Sequence, residues 1–263
     1  MSGFEFAKLI QAWSLITPPL RPNQEVVAAI KQCIGQHDGR ALLLGVTPEF
    51  ADLATGIVAT DINLSMVRGL WPGDTGSRIA VVSDWRRMAF APGSFSLCLG
   101  DGSFTLMRFP DELRLLFEEI ARVLRGNARV VCRVFACPDI AESRAELRDA
   151  TMAGRIKSFD TLKWRLGMML APGCGFNVPL RDILDTFNAM FPDRDELLRA
   201  TGWDRGRVDA LDANYASENS FFSYASRQRL ADVASTVFTN IRFVPSGTYE
   251  LAECCPLMVM ERR

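Results

Sequence analysis

Histidine is almost missing from this chain: among 263 residues it occurs once, as His37, next to Asp38 and Gly39 in a predicted turn. A catalytic triad built on histidine and a metal site built on several histidines are therefore both disfavoured, and we predict no bound metal. The seven cysteines form no C-x-x-C pair, and several lie within apolar, strand-like runs. Reduced, mostly buried thiols in a cytoplasmic protein are the simplest interpretation of that pattern.

The chain also has no long hydrophobic run and no basic cluster. No apolar stretch approaches the length of a membrane-spanning helix, and the amino terminus has no apolar signal-peptide core. Lys and Arg number 30 against 31 Asp and Glu, without a dense basic patch. We therefore predict neither a membrane nor a nucleic acid as partner, since capture through phosphates requires a concentrated basic surface.

What the first half of the chain does contain is an alternation of apolar runs and amphipathic segments. Five runs are predicted to be strands, near 40–45, 56–60, 78–82, 95–99 and 128–135. Because these runs are continuously apolar, they suit a parallel sheet that is covered on both faces. The clearest helix is predicted over 110–125, where apolar residues recur at three- and four-residue spacing. This alternation is typical of a doubly wound α/β sheet.

The pattern changes in the second half of the chain. From 139 to 236 the periodicity is helical with no convincing strand, and Asn177 is predicted to cap one of the helices. Strand-like runs return at 237–245 and 255–262. The predicted division is a helical segment over 1–38 that starts with a helix at 4–15 and is a candidate lid, an α/β domain formed by 39–138 and 237–263, and a helical cap, 139–236, inserted before the last two strands.

The turn after the first predicted strand, Gly45-Val-Thr47-Pro48-Glu49, has features of a binding turn. Glycine permits close approach of a ligand to the backbone, Thr47 is suited to cap the helix that follows, and Pro48 suits the first position of that helix. Exposed amides at a helix start attract a carboxylate or another anion. An ordinary strand-to-helix turn that binds nothing is the alternative.

Asp61 ends the second predicted strand, sixteen positions after Gly45. This is the layout of a nucleoside-binding βαβ unit, in which a carboxylate accepts hydrogen bonds from ribose hydroxyls. Aspartate is also a good helix cap, so capping of the helix that starts near Asn63 is the alternative.

Ser83-Asp84-Trp85 follows the third predicted strand, at the same edge of the sheet. Asp84 is suited to accept a hydrogen bond from the exocyclic amine of adenine, while Trp85 or Met88 packs on the ring. A polar turn with one half-buried tryptophan is the alternative.

The order and spacing of these motifs resemble class I S-adenosylmethionine-dependent methyltransferases over residues 40–135. The segments that carry the resemblance are Leu-Leu-Leu-Gly45-Val-Thr-Pro-Glu, Thr-Asp61-Ile, Ser-Asp84-Trp, Met-Ala-Phe-Ala-Pro-Gly-Ser94-Phe95-Ser96-Leu and Ala-Arg122-Val-Leu-Arg125-Gly126-Asn. The resemblance implies a Rossmann-like, mostly parallel seven-stranded sheet in which the seventh strand is antiparallel. It also implies S-adenosylmethionine as cofactor and S-adenosylhomocysteine as product.

By this resemblance, Asp61 holds the ribose, and Asp84 with Trp85 holds the adenine. The turn at Gly45 holds the methionine part, and the segment that follows strand four lies near the sulfonium and the acceptor. The full implied cofactor-binding set is Gly45, Thr47, Asp61, Ile62, Met66, Ser83, Asp84, Trp85, Gly100 and Asp101.

The sequence departs from the family pattern at four positions. Leu43 stands where the family has an acidic residue, and Ser96 replaces the usual aspartate of a Phe-Asp pair. Thr47 and Glu49 stand where the second and third glycines are expected. Without a carboxylate at 43, Glu49 or Asp101 would have to bind the ammonium group of the cofactor.

Methyl transfer from a sulfonium is an in-line substitution that requires alignment rather than a protein nucleophile. Where the acceptor must lose a proton, the candidate bases are Asp101 and Tyr215, with Glu49 and Tyr224 as further candidates. Strand four is followed by Asp101-Gly-Ser-Phe, not by the Asp-Pro-Pro-Tyr type of turn used on amino groups of DNA bases. A small molecule is therefore the predicted acceptor. A few cap side chains are predicted to line an apolar acceptor pocket, out of Trp164, Met168, Met169, Phe187, Trp203, Tyr215, Phe221 and Phe222.

Three functions compete on this evidence. The first is a methyltransferase that acts on a small molecule. The second is a non-catalytic relative, a binding or interaction protein that keeps the fold with or without the cofactor, for which the altered glycine turn is the support. The third, a nicotinamide-dependent reductase, is disfavoured because G-x-G-x-x-G is absent and Asp84-Trp85 is present. The sequence indicates neither the methylated atom nor the oligomeric state.

Overall fold

The computed structural model describes Trp13, residues 16–217 and residues 219–263. Apart from Trp13, the helix predicted over 4–15 lies outside the described residues. The strands are β1 (Ala41–Leu44), β2 (Ile57–Asp61), β3 (Arg78–Val82), β4 (Phe95–Asp101), β5 (Leu124–Arg133), β6 (Asn177–Pro179), β7 (Phe221–Ser223), β8 (Phe238–Val244) and β9 (Leu257–Arg262). The α-helices are α1 (Gln24–Ile34), α2 (Leu64–Leu70), α3 (Asp111–Val123), α4 (Arg144–Met152), α5 (Phe159–Leu170), α6 (Leu180–Met190), α7 (Arg194–Thr201), α8 (Arg205–Asn214) and α9 (Arg227–Ala234).

A seven-stranded sheet in the order β3-β2-β1-β4-β5-β9-β8 forms the centre of the molecule. The strands β3, β2, β1, β4 and β5 pair in parallel, and β9 runs antiparallel to both β5 and β8. The predicted doubly wound, mostly parallel sheet with one antiparallel strand is therefore confirmed. β1 is buried along its whole length and β4 along all but its last residue, as their continuously apolar sequences require.

Helices cover both faces of this sheet. On one face α1 and α2 contribute Val26, Ile30, Met66 and Leu70 to a core with β1 and β2. On the other face α3 and α9 pack through residues that include Leu113, Leu116, Leu230 and Ala234. Because apolar helices cover both faces of the sheet, a ligand can approach it at the ends of the strands.

The segment between β5 and β8 folds mainly into helices, with its own core of aliphatic and aromatic side chains. The prediction of no strand there is wrong in one place, because β6 and β7 pair antiparallel. Three-residue strands are too short to show a two-residue periodicity in the sequence.

Asn177 does not cap a helix as predicted. It lies in β6, and α6 begins three residues later, after Pro179. Its side-chain oxygen accepts a hydrogen bond from Phe109 N at 2.7 Å, and its amide nitrogen donates to Phe109 O at 2.8 Å. The side chain therefore ties the cap to the loop that precedes α3, a contact over 68 positions that no local pattern encodes.

The last helix before β8 packs with the sheet. Although α9 falls within the range 139–236, it contacts α3 and β8. The domain boundaries proposed from the sequence, including the one at 236, stay a prediction. Over the described residues, the structure has no helix that is both long and apolar enough to cross a membrane.

Candidate functional site

The carboxyl ends of β1, β2 and β4 open onto a cavity of about 200 Å³. Ligands of open α/β sheets bind at this edge, where successive strands connect to helices on opposite faces. The cavity lining brings together six of the residues predicted from the sequence, namely Gly45, Thr47, Asp61, Met66, Trp85 and Asp101.

The chain turns away from β1 at Gly45, whose φ of 96° lies in the left-handed region that favours glycine. Its amide donates to Thr60 O at 2.8 Å, which ties the turn to β2. A short 3-10 helix, Pro48–Phe50, follows, and Thr47 makes no side-chain cap hydrogen bond to it. The predicted capping role of Thr47 is therefore wrong, because a single 3-10 turn replaces the expected α-helix. The residue lines the cavity.

Asp61 is the last residue of β2 and lines the cavity. The one hydrogen bond found for its carboxylate among the described residues is from Asn63 N to Oδ1, at 2.8 Å. The cap of α2 is Asn63, which accepts from the amides of Ser65 and Met66, so the alternative that Asp61 caps this helix is wrong. Burial raises the pKa of Asp61, against the opposing effect of the Asn63 amide. An incompletely paired, partly desolvated carboxylate is well suited to accept from ligand hydroxyls.

A second cavity, of about 530 Å³, adjoins the first and shares Asp61, Trp85, Leu106 and Phe221 with it. Ile62 lines this cavity and is 58% exposed, so a flat apolar ligand has a surface to cover there. The indole Nε1 of Trp85 donates to Thr60 O at 2.7 Å. This hydrogen bond holds the Trp85 ring at the junction between the two cavities.

Asp84 also lines the second cavity, but Arg86 already engages it. The amide and guanidinium of Arg86 donate to the Asp84 carboxylate over 2.9 to 3.1 Å, and the side-chain hydrogen bond lowers the pKa of Asp84. Since a carboxylate has about four acceptor positions, Asp84 can still accept from a ligand. Ser83 lies outside both cavity linings, and Met88 is buried in the core rather than exposed to either cavity.

Asp101 forms a buried ion pair that the sequence did not predict. Arg133, the last residue of β5, donates to Asp101 Oδ1 at 2.5 Å and to Oδ2 at 3.0 Å, and its side chain is fully buried. Arg133 also donates to Tyr249 Oη and to Leu20 O. Burial raises the pKa of Asp101, while Arg133 opposes this shift. The available signal was an arginine inside the apolar run Val130-Val-Cys-Arg-Val-Phe.

Glu49 lies close to this pair, since its negative charge contributes to the raised pKa of Asp101. Its Oε1 accepts from Arg21 Nε at 2.6 Å and from Trp13 Nε1 at 3.4 Å. Its Oε2 is buried without a hydrogen-bond partner in the part of the chain that the structure describes. A buried carboxylate oxygen without a donor is costly, and Glu49 itself lies outside both cavity linings.

The glycines around Asp101 have packing roles. A Cβ at Gly100 would lie 2.5 Å from Cys132 Sγ, and Gly100 is outside the lining of both cavities. Gly102 has a φ of 68°, and a Cβ there would lie 2.5 Å from the Phe135 ring. Glycine at these positions allows β4, β5 and the following loop to approach closely beneath the cavity.

The wall opposite the sheet is aromatic. Trp164 stacks on Phe135 at a centroid distance of 4.4 Å and an interplanar angle of 24°, and the Phe222 ring lies 5.3 Å from Trp164. Tyr215, a candidate base from the sequence, lies outside the cavity lining. Burial raises the pKa of Tyr215, and the charge of Lys163 opposes that shift.

No protein-family model and no curated protein matches this sequence. Solved structures do match over nearly the whole chain. One is a candidate Zn-dependent alcohol dehydrogenase from Rhodobacter sphaeroides, with 14% identity, 100% of this chain and 99% of that chain covered, and a TM-score of 0.57. A second belongs to a complex between the Haloferax volcanii Trm112 methyltransferase activator and a candidate methyltransferase, with 10% identity, coverage of 100% and 99%, and a TM-score of 0.54. A third is an S-adenosylmethionine-dependent methyltransferase from Mesorhizobium loti, with 11% identity, coverage of 91% and 99%, and a TM-score of 0.51.

The strand order decides between the fold types that these names suggest. Dinucleotide-binding sheets of the 3-2-1-4-5-6 order are parallel throughout. Here the antiparallel β9 is inserted between β5 and β8. The fold is that of a class I S-adenosylmethionine-dependent methyltransferase. Among the described residues of this methyltransferase fold, no group of three or more His, Cys, Asp or Glu side chains is placed to hold a metal ion.

Proposed function

We propose that this protein is an S-adenosylmethionine-dependent methyltransferase that acts on a small-molecule acceptor. The observation that carries the proposal is the junction of two cavities at Asp61 and Trp85, on the carboxyl edge of a methyltransferase fold. A nucleoside with an extended tail fits such a pair of cavities, with its ribose at the junction, its base in one cavity and its tail in the other.

The adenosine half of the cofactor belongs in the second cavity. Ile62 offers an apolar face to the adenine ring, and Asp84 offers an acceptor to its exocyclic amine. At the junction, the Asp61 oxygen that Asn63 leaves unpaired accepts from the ribose hydroxyls. These three side chains supply the apolar contact, the base-edge acceptor and the ribose acceptor that an adenosine requires.

The amino-acid end of the cofactor belongs in the first cavity, near the turn at Gly45. Of the two carboxylates that can replace the missing acidic residue at 43, Asp101 is compensated by Arg133. Glu49 keeps a buried oxygen without a donor among the described residues. Glu49 is, however, paired with Arg21 and lies outside the cavity lining, whereas Asp101 lines the cavity. Asp101 is therefore the better placed partner for the ammonium group.

When bound, S-adenosylmethionine supplies a methyl group on a sulfonium, which a nucleophilic atom of the acceptor attacks in line. The chain contributes alignment of the two reactants and exclusion of water. Trp13, Ile16 and Leu20 line the first cavity on a further side and so help to enclose it. A cavity of about 200 Å³ between sheet and cap favours a small acceptor over a polymer.

The proposal also includes the class of acceptor and the location of the protein in the cell. The net charge of −1 supports an acceptor other than a nucleic acid. The seven cysteines are free thiols, most of them buried, which supports a cytoplasmic location.

A second candidate is a non-catalytic relative that keeps the fold for binding or interaction. The observation that favours it is internal charge compensation, because Arg133 pairs with Asp101 and Arg21 pairs with Glu49. Because each of these carboxylates already has an arginine as partner, no charged ligand is required to balance its charge.

Calorimetric titration with S-adenosylmethionine, S-adenosylhomocysteine and NADH tests the proposal. We expect both sulfur compounds to bind and NADH not to bind. Asp61→Ala should weaken binding by about 1–3 kcal/mol, the loss expected for hydrogen bonds to a carboxylate. Formation of S-adenosylhomocysteine when a small-molecule extract is added would favour the enzyme over the non-catalytic relative. A folded protein that binds neither sulfur compound would contradict the proposal.

A further inference from the structure

The cap side of the first cavity carries no charged side chain among the described residues that line it. The charged residues of the lining, Asp61 and Asp101, both stand at the ends of sheet strands. The cap contributes Trp164, Leu180, Phe221 and Phe222 to the lining, and Phe135, which follows β5 and stacks on Trp164, extends this surface. The side chains that line this half are therefore uncharged and largely aromatic. The guanidinium groups of Arg108, over Phe221 at 4.3 Å, and Arg133, over Phe135 at 5.3 Å, lie outside the lining.

The aromatic wall is held in place from behind. Tyr224 packs edge-on against Trp164 at a centroid distance of 5.2 Å and an angle of 82°. The backbone of Gly167 permits this position of Tyr224, since a Cβ at Gly167 would lie 2.5 Å from the tyrosine ring. The close approach of Gly102 to Phe135 supports the other side of the stacked pair. A preorganised aromatic surface binds a rigid ring with little loss of conformational freedom.

The absence of charge in this wall selects against charged ligands. Transfer of an unpaired carboxylate or ammonium group from water into such a site costs several kcal/mol, since no described lining residue of the cap half offers an opposite charge. A neutral ring has no such cost and gains from burial against Trp164 and Phe222.

One polar group in the wall is unsatisfied. The indole Nε1 of Trp164 is buried and has no acceptor among the described residues, and Trp164 is 5% exposed. The hydroxyl of Ser220, also in the lining, already donates to Ser217 at 3.2 Å. This N–H has no accessible surface, so a ligand in the cavity does not reach it, and Trp164 offers the ligand its apolar ring alone.

We propose that the acceptor which occupies the cap half is a neutral, planar aromatic compound, and that Trp164 is the residue that selects it. The assignment rests on the proposed methyltransferase function. It makes Trp164 a specificity-determining residue for the acceptor, with no part in holding the cofactor.

Two probes that share one ring system test the charge selection. Protein saturated with S-adenosylhomocysteine is titrated with 2-naphthol and, separately, with 2-naphthoate, which carries a carboxylate at neutral pH. Saturation keeps both probes out of the cofactor site. We expect 2-naphthol to bind at least about tenfold more tightly, because the carboxylate loses its hydration without a partner.

Variants of Trp164 test the residue itself. Trp164→Phe keeps a smaller ring and should weaken 2-naphthol binding by only about two- to tenfold. Trp164→Leu removes the stacking surface and should weaken it by about tenfold or more. In both variants the affinity for S-adenosylhomocysteine should stay within about twofold, which also shows that the protein is folded. The matched control is Trp203→Leu, a cap tryptophan that packs on Phe159 outside the cavity lining and should change neither affinity.

The outcomes separate this inference from the proposed function. Wild-type protein that binds S-adenosylhomocysteine but binds 2-naphthoate as tightly as 2-naphthol, or neither probe, would overturn the acceptor assignment alone. Unchanged 2-naphthol binding in Trp164→Leu would do the same. A folded wild-type protein that does not bind S-adenosylhomocysteine would overturn the proposed function and this inference with it.

Discussion

The protonation state of Asp61 that favours the stability of the fold differs from the one that favours the proposed ligand contact. Burial raises the pKa of this carboxyl above its ordinary value of 3.8, so the folded protein binds the proton more tightly than the unfolded chain does. The stabilisation from the protonated form is therefore complete below the ordinary pKa, and it is lost as the pH rises through the raised pKa. At neutral pH the ionised side chain costs stability, while the charge would strengthen the proposed hydrogen bonds from the ribose hydroxyls.

Asp61→Asn is accordingly expected to raise the free energy of unfolding at pH 7, because the amide needs no ionisation. The gain should shrink as the pH falls toward about 4, where the wild-type carboxyl also takes up its proton. Urea unfolding at both pH values measures the difference. Asp139→Asn, at an exposed position, is the control and should stay within about 0.5 kcal/mol of wild type. A lower stability of Asp61→Asn at pH 7 would contradict the expectation.

The ion pair between Arg133 and Asp101 behaves as a unit, because both side chains are almost fully buried. Arg133→Met leaves the Asp101 carboxylate without its partner and should cost about 3–5 kcal/mol. The double variant with Asp101→Asn should lose less than the two single losses together, because neither charge is left unpaired. A double-mutant cycle by urea unfolding measures the coupling. Strictly additive losses would show that the pair is not coupled.

At the scale of the element, the loop between β4 and α3 depends on Gly102. Gly102→Ala would place a methyl group 2.5 Å from the Phe135 ring at a φ of 68°. Overpacking and left-handed backbone strain together should destabilise the protein by about 1–3 kcal/mol, measured by thermal or urea unfolding. The control is Gly126→Ala, where a Cβ would meet nothing within 4 Å. Equal stability of the two variants would mean that the Phe135 ring moves away freely.

Elements with long, continuous patterns were predictable from the sequence. The helix predicted over 110–125 is α3 (Asp111–Val123), and the strand predicted over 78–82 is β3 (Arg78–Val82). The short ladder of β6 with β7 was not predictable, since each strand spans three residues and their pairing joins segments more than forty positions apart. Local sequence patterns reflect contacts between residues that are close along the chain. The pairing of β6 with β7 involves almost no contacts of that kind.

At the scale of the whole molecule, a ligand that binds the folded state alone must stabilise it. At about 100 times its Kd, S-adenosylhomocysteine should add about 2.7 kcal/mol and raise the Tm by about 5–10 °C for a chain of this size. NADH should leave the Tm unchanged, and Asp61→Asn should shift less than wild type at the same ligand concentration. Differential scanning calorimetry measures the shifts. Equal shifts with NADH and S-adenosylhomocysteine would argue against an adenosyl-sulfur site.

The sequence by itself determined the sheet and the edge at which the candidate site lies. Continuous apolar runs have to be buried on both faces, and glycine or acidic residues at the ends of such runs have to meet at one edge of a parallel sheet. Gly45, Asp61 and Trp85, which follow three successive strands, could for this reason be placed together from the sequence, whereas the family resemblance implied the place of Asp101. All four line one cavity.

The tertiary structure alone decided which of these groups are available to a ligand. Arg133 reaches Asp101 across 32 positions, and Arg21 reaches Glu49 across 28. Among the cap aromatics, Trp164, Phe221 and Phe222 line the cavity while Tyr215 lies outside its lining. The physical reason is the same for the charges and the rings: burial of a side chain follows from its own chain segment, whereas its partner and the direction it faces depend on segments far away in sequence.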